Sequence, residues 1–239
     1  MKRPDAISQL ADMIAAIRLE HPVRVGIDGV DCAGKTMLAD ELIEPLQSRG
    51  RKVIRASIDG FHNPRATRHR QGRVSPRGYY EDSFQLDAVL SCVLLPLGPG
   101  GTREYQTMRF DFRTDTPVDC PIQVAEPEAV LMFEGVFLHR PEFLPHWDFS
   151  VFVCTDFDVT IRRAFVRDQY LFETEEKTRS IYERRYIPGQ KLYLSEQRPS
   201  DKADVVLVND DIENPELKIQ RTVNQRLENI SANRAESST

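Results

Sequence analysis

Cysteine is scarce in this chain of 239 residues: four, at Cys32, Cys92, Cys120 and Cys154, with no C-x-x-C pair among them. That excludes a disulfide framework or a cysteine zinc site and fits reduced thiols in a cytoplasmic protein. No apolar run approaches the roughly 18 residues of a membrane span, so no membrane partner is expected. The opening "MKRPDAISQLADMIAAIRLE" mixes charges with apolar residues, which speaks against an uninterrupted signal-peptide core. Net positive charge is missing too. A balance of −5 argues against a general nucleic-acid surface, and no nucleic-acid partner is expected. Repeats and low-complexity tracts are absent, so one domain over 1–239 is the simplest organisation.

What is present is an alternation of short apolar runs with helical patterns. Ile7, Leu10, Ile14 and Ile17 recur at helical spacing after Pro4 and Asp5. "VRVGID" (23–28), "KVIRASID" (52–59), "AVLMFEG" (129–135), "FSVFVC" (149–154) and "ADVVLVN" (203–209) read as strands. Helices are expected over Lys35–Gln47, Ser83–Leu97 with Asp82 or Ser83 as cap, Asp158 to about Phe172, and around Tyr182. Residues 64–82 read as a loop rich in Arg, Gly and Pro, 102–124 as a hairpin or edge strands, and 230–239 as a frayed tail. Nearly all-apolar strands alternating with helices predict an α/β fold, with a mostly parallel sheet covered on both faces. A small β flap at about 98–124 and a helical lid at about 163–190 are expected as additions.

Residues 29–36 read G-V-D-C-A-G-K-T and fit G-x-x-x-x-G-K-[ST], the phosphate loop, between an apolar strand and a helix. Gly29 and Gly34 let the backbone curl, so that the N–H groups through Asp31, Cys32 and Ala33 form an anion nest. The helix N-terminus adds partial positive charge. Lys35 reaches the outer phosphates and the Thr36 hydroxyl can join a magnesium shell. Asp31 is the odd member, because a carboxylate there repels a triphosphate unless it turns away or meets a cation. The N-K-x-D element that gives guanine specificity in GTPases is absent.

A kinase also needs a base. Asp59 ends the second apolar run, and in a parallel sheet the carboxyl ends of neighbouring strands share a crevice with the phosphate loop. There it would orient a hydroxyl and take its proton; an Asx-turn role before Gly60 is the alternative. Glu134 ends "VLMFEG" and suits a magnesium site, or else a solvent-facing strand end. Arg163 and Arg167, four apart on a helix, suit a transferring phosphoryl group, or a solvated salt-bridge face with Asp168 and Glu175. The loop carrying Arg65, Arg68, Arg70, Arg73 and Arg77, with His62 and His69, reads as an acceptor-site loop or a plain solvated one. Tyr79, Tyr80 and Asp82 follow, as a stacking ring and a hydroxyl-binding carboxylate or as core and cap residues.

"GIDGVDCAGKT", "SIDGFHNP", "GYYEDSFQLDAV", "PLGPGG", "VLMFEGVFL", "RRAFVRD" and "ADVVLVND" occur in the order seen in the uridine kinase-like family of P-loop kinases, and residues 22–210 resemble that family. The resemblance implies a P-loop NTPase three-layer α/β/α fold, and ATP with Mg2+. It implies transfer of the γ-phosphoryl group to a small-molecule substrate, a nucleoside such as uridine. By resemblance Asp59 is the base, Lys35, Arg163 and Arg167 contact phosphates, and Thr36 and Glu134 belong to the metal site. Asn209 lies near the adenine, Asp82 binds ribose hydroxyls, and Phe110 lies in the flap that binds the acceptor; His62 and Tyr79 are acceptor-site candidates from their place in the sequence alone. A homo-oligomer is compatible with the family. The chain departs from uridine-cytidine kinases where Phe110 and Asp115 stand in "MRFDFRTD" at places expected to hold Tyr and His. Phe110 keeps a stacking ring without the hydroxyl, and an ionised Asp115 cannot donate. A kinase of a sugar phosphate or a pantothenate-like alcohol, or a nucleotide-binding module with little transfer, are the alternatives.

Overall fold

The computed structural model describes residues 1–168, 174–223, 225 and 228. The 169–173 part of the expected lid and the polar tail 230–239 lie outside the described residues. In chain order the strands are β1 (Val23–Gly29), β2 (Val53–Ser57), the short β3 (Glu104–Tyr105), β4 (Phe110–Asp111), β5 (Thr116–Pro117) and β6 (Gln123–Val124), then β7 (Val130–Gly135), β8 (Phe149–Cys154), β9 (Val205–Val208) and β10 (Glu216–Ile219). The helices are α1 (Arg3–Ala16), α2 (Lys35–Glu41), α3 (Ile43–Ser48), α4 (Arg65–Arg68), α5 (Pro76–Asp82), α6 (Leu86–Val89), α7 (Phe157–Arg167), α8 (Glu175–Ile181), α9 (Ile187–Gln197) and α10 (Pro199–Lys202).

Six strands form one sheet in the order β10-β9-β8-β1-β7-β2, parallel throughout except for β10. Every residue of β1 and β7 is buried, because helices cover both faces. One face packs Leu10, Ile14, Leu38 and Leu46 of α1–α3 against Val25 and Val151. The other packs Tyr79, Val93 and Tyr193 against Leu131 and Phe133. Fully buried side chains of this size contribute about 1.5–3 kcal/mol each. Trp147 fills the space over Gly26, where an added Cβ would come within 2.7 Å of the indole.

Register places the chemistry. Glu134 pairs with Ile27 of β1 on one side and Ser57 of β2 on the other. The carboxyl ends of these three strands are therefore level, and the segments after them meet along one rim.

Several boundaries differ from the sequence expectation for local reasons. The 35–47 helix is two helices that break at Leu42. Pro45 lies in the first turn of α3, where its missing N–H costs nothing. The second strand stops at Ser57 and Ile58–Phe61 forms a 3-10 turn, with the Ser57 hydroxyl accepting Asp59 N–H at 3.2 Å. The expected 64–82 loop contains α4 and α5. Ser75 caps α5 by accepting Gly78 N–H at 3.0 Å, with Pro76 at the first helical position. Asp82 and Ser83 therefore end a helix instead of starting one. The next helix begins at Leu86 and continues as a π-helical turn over Leu90–Leu94. The antiparallel edge strand β10 was not anticipated.

Candidate active site

The phosphate loop joins β1 to α2 as a tight curl. Gly34 has φ +101° and Cys32 has φ 57°, so the chain enters the left-handed region twice. A Cβ on Gly34 would meet Asn209 Nδ2 at 2.6 Å, and one on Gly29 would meet the Val153 carbonyl at 2.5 Å. Both glycines are required by close approach as well as by torsion. The loop is braced from behind. Asn209 is fully buried; its Nδ2 donates to the Ala33 carbonyl at 2.7 Å and its Oδ1 accepts Arg3 Nη1 at 3.0 Å. Beneath the loop, the Asp28 carboxylate accepts Gly29 N–H at 2.7 Å, the His139 ring at 2.7 Å and the Tyr193 hydroxyl. Burial works to raise the Asp28 pKa, and the His139 and Tyr193 partners outweigh it and hold the carboxyl below its ordinary value.

In front of the loop lies a cleft of about 540 Å³, lined at one end by Lys35, Thr36, Glu134 and Asp59. Lys35 is buried and its Nζ donates to the Val30 carbonyl at 2.8 Å. The Asp59 side chain is 62% exposed, at the first turn after β2. Glu134 is buried; desolvation raises its pKa, with Lys35 opposing. Among the described residues no three His, Cys, Asp or Glu side chains group as a metal cage.

Part of the cleft lining is aromatic. The His62 ring sits between Phe84 at 4.6 Å and Phe112 at 4.7 Å. Its Nδ1 donates to the Asp59 carbonyl at 3.0 Å, since a carbonyl only accepts. Burial lowers the His62 pKa, against the pull of Asp59, so the ring is neutral at neutral pH. Tyr79 and the buried Phe110 complete this aromatic lining.

Not every expected residue reaches the cleft. Arg167 lines it, tied to Asp168 at 2.6 Å and the Tyr182 hydroxyl at 3.2 Å. Arg163 does not line it; its guanidinium donates to the carbonyls of Asn209 at 2.7 Å, Asp210 at 3.1 Å and Ala33 at 3.4 Å. Asp82 is 1% exposed and outside the cleft, holding Arg70 and, at 2.8 Å, Gln71. Asp115 also turns away, accepting Arg65 N–H at 2.9 Å and Arg68 Nη2 at 3.0 Å. Much of the arginine loop is thus committed to internal ion pairs, Arg77 with Glu81 among them. Asp31 is turned sideways to Tyr79 and Gln190. Gln190, Tyr182, Tyr186 and Phe112 were not singled out from sequence. Gln190 and Tyr193 fall in "YIPGQKLYL", whose spacing of three places both on one helix face.

No protein-family model matches the chain. A uridine kinase from Brevibacillus brevis is 29% identical over 162 residues, covering 67% of this chain and 71% of that protein. The solved structure of a possible uridine kinase from Bacillus stearothermophilus superimposes with a TM-score of 0.65 at 25% identity, covering 85% of this chain and 97% of that one. The chain is similar to uridine kinase-like P-loop kinases in sequence and in fold. Among other relatives, uridine kinase-like protein 4 of Arabidopsis thaliana is 27% identical over 69% of this chain. The chain spans only 34% of that protein's length and 59% of a Dictyostelium discoideum uridine-cytidine kinase B. A Cryptococcus neoformans D-glycerate 3-kinase, at 12% identity and TM-score 0.60, shares the fold. Among the described residues, no helix is long and apolar enough to cross a membrane.

Proposed function

We propose that this chain is an ATP-dependent small-molecule kinase that transfers the γ-phosphoryl group to a hydroxyl, with the 5′-hydroxyl of a nucleoside as acceptor. The observation that carries the reading is one cleft holding the exposed Asp59 carboxylate together with Lys35, Thr36 and Glu134. A phosphate chain fits the loop, which turns through the left-handed region at Cys32 and Gly34 and leads into Lys35 and Thr36 on the cleft. Mg2+ fits the Thr36 hydroxyl and Glu134 as hard oxygen donors. With no cage of three acids among the described residues, most of its shell would come from phosphate oxygens and water. Bound there, it would neutralise phosphate charge.

Asp59 orients the acceptor hydroxyl and takes its proton as the new oxygen–phosphorus bond forms and the bond to the leaving diphosphate breaks. Lys35 exchanges the Val30 carbonyl for phosphate oxygens, and Arg167, linked to Cys32 of the loop through the Tyr182 hydroxyl, adds charge beside it. The aromatic wall of His62, Phe84 and Phe112 offers a planar acceptor a stacking surface and excludes water. A kinase of another small alcohol is the second reading. The sealing of Asp82 favours it, because the carboxylate assigned to ribose by resemblance is not in the cleft.

The test is mass-spectrometric detection of phosphorylated products from ATP with pooled nucleosides, sugar phosphates, D-glycerate and pantothenate. Asp59→Asn serves as the control. A nucleoside 5′-phosphate that disappears with the variant supports the proposal. ATP binding with no product from any pool would indicate a nucleotide-binding module instead.

A further inference from the structure

Asp31 sits in the phosphate loop where a carboxylate conflicts with a bound polyanion. The fold resolves the conflict by aiming it along the cleft. Its Oδ2 accepts the Tyr79 hydroxyl at 2.8 Å and Gln190 Nε2 at 2.6 Å, and its N–H donates to Gln190 Oε1 at 3.2 Å. Both partners are buried in packed helices, Tyr79 at 7% exposure and Gln190 at 1%. The side chain is therefore fixed through one oxygen. Oδ1 accepts no hydrogen bond among the described residues, and Asp31 lines the cleft with Asp59, His62 and Tyr79. A carboxylate already immobilised loses little entropy when its second oxygen takes a ligand donor. Being acceptor-only, it selects an O–H or N–H group.

We infer that Asp31, through Oδ1, binds a second hydroxyl of the acceptor while Asp59 engages the one that is phosphorylated. The acceptor is then a diol or polyol, and Asp31 is its specificity residue. Tyr79 and Gln190 are positioning residues that act through Asp31. This assignment rests on the kinase reading above. It also gives the cleft a hydroxyl-binding carboxylate in place of Asp82, whose two oxygens are occupied by Arg70 and Gln71.

The experiment compares matched acceptors with ATP and Mg2+: uridine against 2′,3′-dideoxyuridine, and D-glycerate against 3-hydroxypropanoate. Wild type, Asp31→Ala, Asp31→Asn and Tyr79→Phe are assayed, with melting temperature as the check on folding. The wild type is expected to favour a diol over its partner at least tenfold in kcat/KM, since sites built to hydrogen-bond a hydroxyl reject analogues lacking it. Asp31→Ala is expected to erase that preference by raising KM for the diol alone. Tyr79→Phe, which frees the carboxylate to rotate, is expected to reduce the preference partway. A diol preference that survives in Asp31→Ala would overturn the assignment and leave the kinase reading intact. An effect confined to the Mg2+ dependence would assign the carboxylate to the cation and overturn it as well. Transfer to none of these acceptors, nor to any in the pools named above, would overturn the kinase reading and this assignment together.

Discussion

Replacing Asn209 with alanine separates two jobs for a residue next to the phosphate loop. In the structure Asn209 is buried and braces the loop, instead of presenting its amide to a base. The substitution deletes two hydrogen bonds: Nδ2 to the Ala33 carbonyl at 2.7 Å and Arg3 Nη1 to Oδ1 at 3.0 Å. A neutral bond contributes about 0.5–1.5 kcal/mol and one to a charged group about 1.5–3 kcal/mol. Arg3 keeps Glu41 at 2.6 Å, so no uncompensated charge is left behind. The expected loss is about 3 kcal/mol, or roughly 6–12 °C in melting temperature for a chain of this size. Of that, about 1 kcal/mol felt at the loop itself would raise the KM for ATP roughly fivefold. Thermal unfolding and steady-state kinetics measure both. A variant with wild-type melting temperature and an altered preference between ATP and GTP would refute the bracing argument and return Asn209 to the base.

Asp59→Asn should lower kcat by about 10²–10⁴ while leaving the KM for ATP and the melting temperature near wild type; retained turnover would remove Asp59 from the role of base. Glu134→Gln should trade activity for stability. Burial raises the Glu134 pKa, so the folded state holds that proton more tightly than the unfolded chain does. Its contribution is full below the unfolded pKa and is lost as pH rises through the folded one. The variant's melting temperature should therefore gain on wild type as pH rises from the ordinary carboxylate value of 4.5 through the raised one, and a constant gap would contradict the argument. Gly26→Ala should destabilise by roughly 1–3 kcal/mol as an overpacking change, since its Cβ would stand 2.7 Å from the Trp147 ring. An unchanged denaturant midpoint would show that the indole can move aside.

The phosphate loop could be read from sequence because its chemistry is local: two glycines that shape the backbone and the side chains of a lysine and a threonine, all within eight residues. The buried strands were legible for a similar reason, since a sheet covered on both faces needs apolar side chains at consecutive positions. Asp82, Asp115 and Arg163 were not legible in this way. Each has partners supplied by tertiary packing: Arg70 across a loop, Arg68 from 47 residues away, and backbone carbonyls after β9. A charged side chain in a string does not reveal which counterpart will meet it. The start of α5 was hidden for another reason. Ser75-Pro76 is a helix-start signal, but Gly78 and the surrounding arginines gave the stretch the composition of a loop. Gln190 had no local signature at all, and its role is visible only once Asp31 is seen beside it.

The spacing of Gln190 and Tyr193 has a mechanical result. They grip Asp31 and Asp28, on either side of Gly29, so α9 is fastened to the nucleotide-facing curl at two points. On the other flank, Arg163 ties α7 to the same curl through the Ala33 carbonyl. Both flanks of the curl are thus held to packed helices, α7 on one side and α9 on the other. The π-helical turn Tyr182–Tyr186 leads directly into α9, so the local widening of the helix lies immediately before the two points at which α9 is fastened.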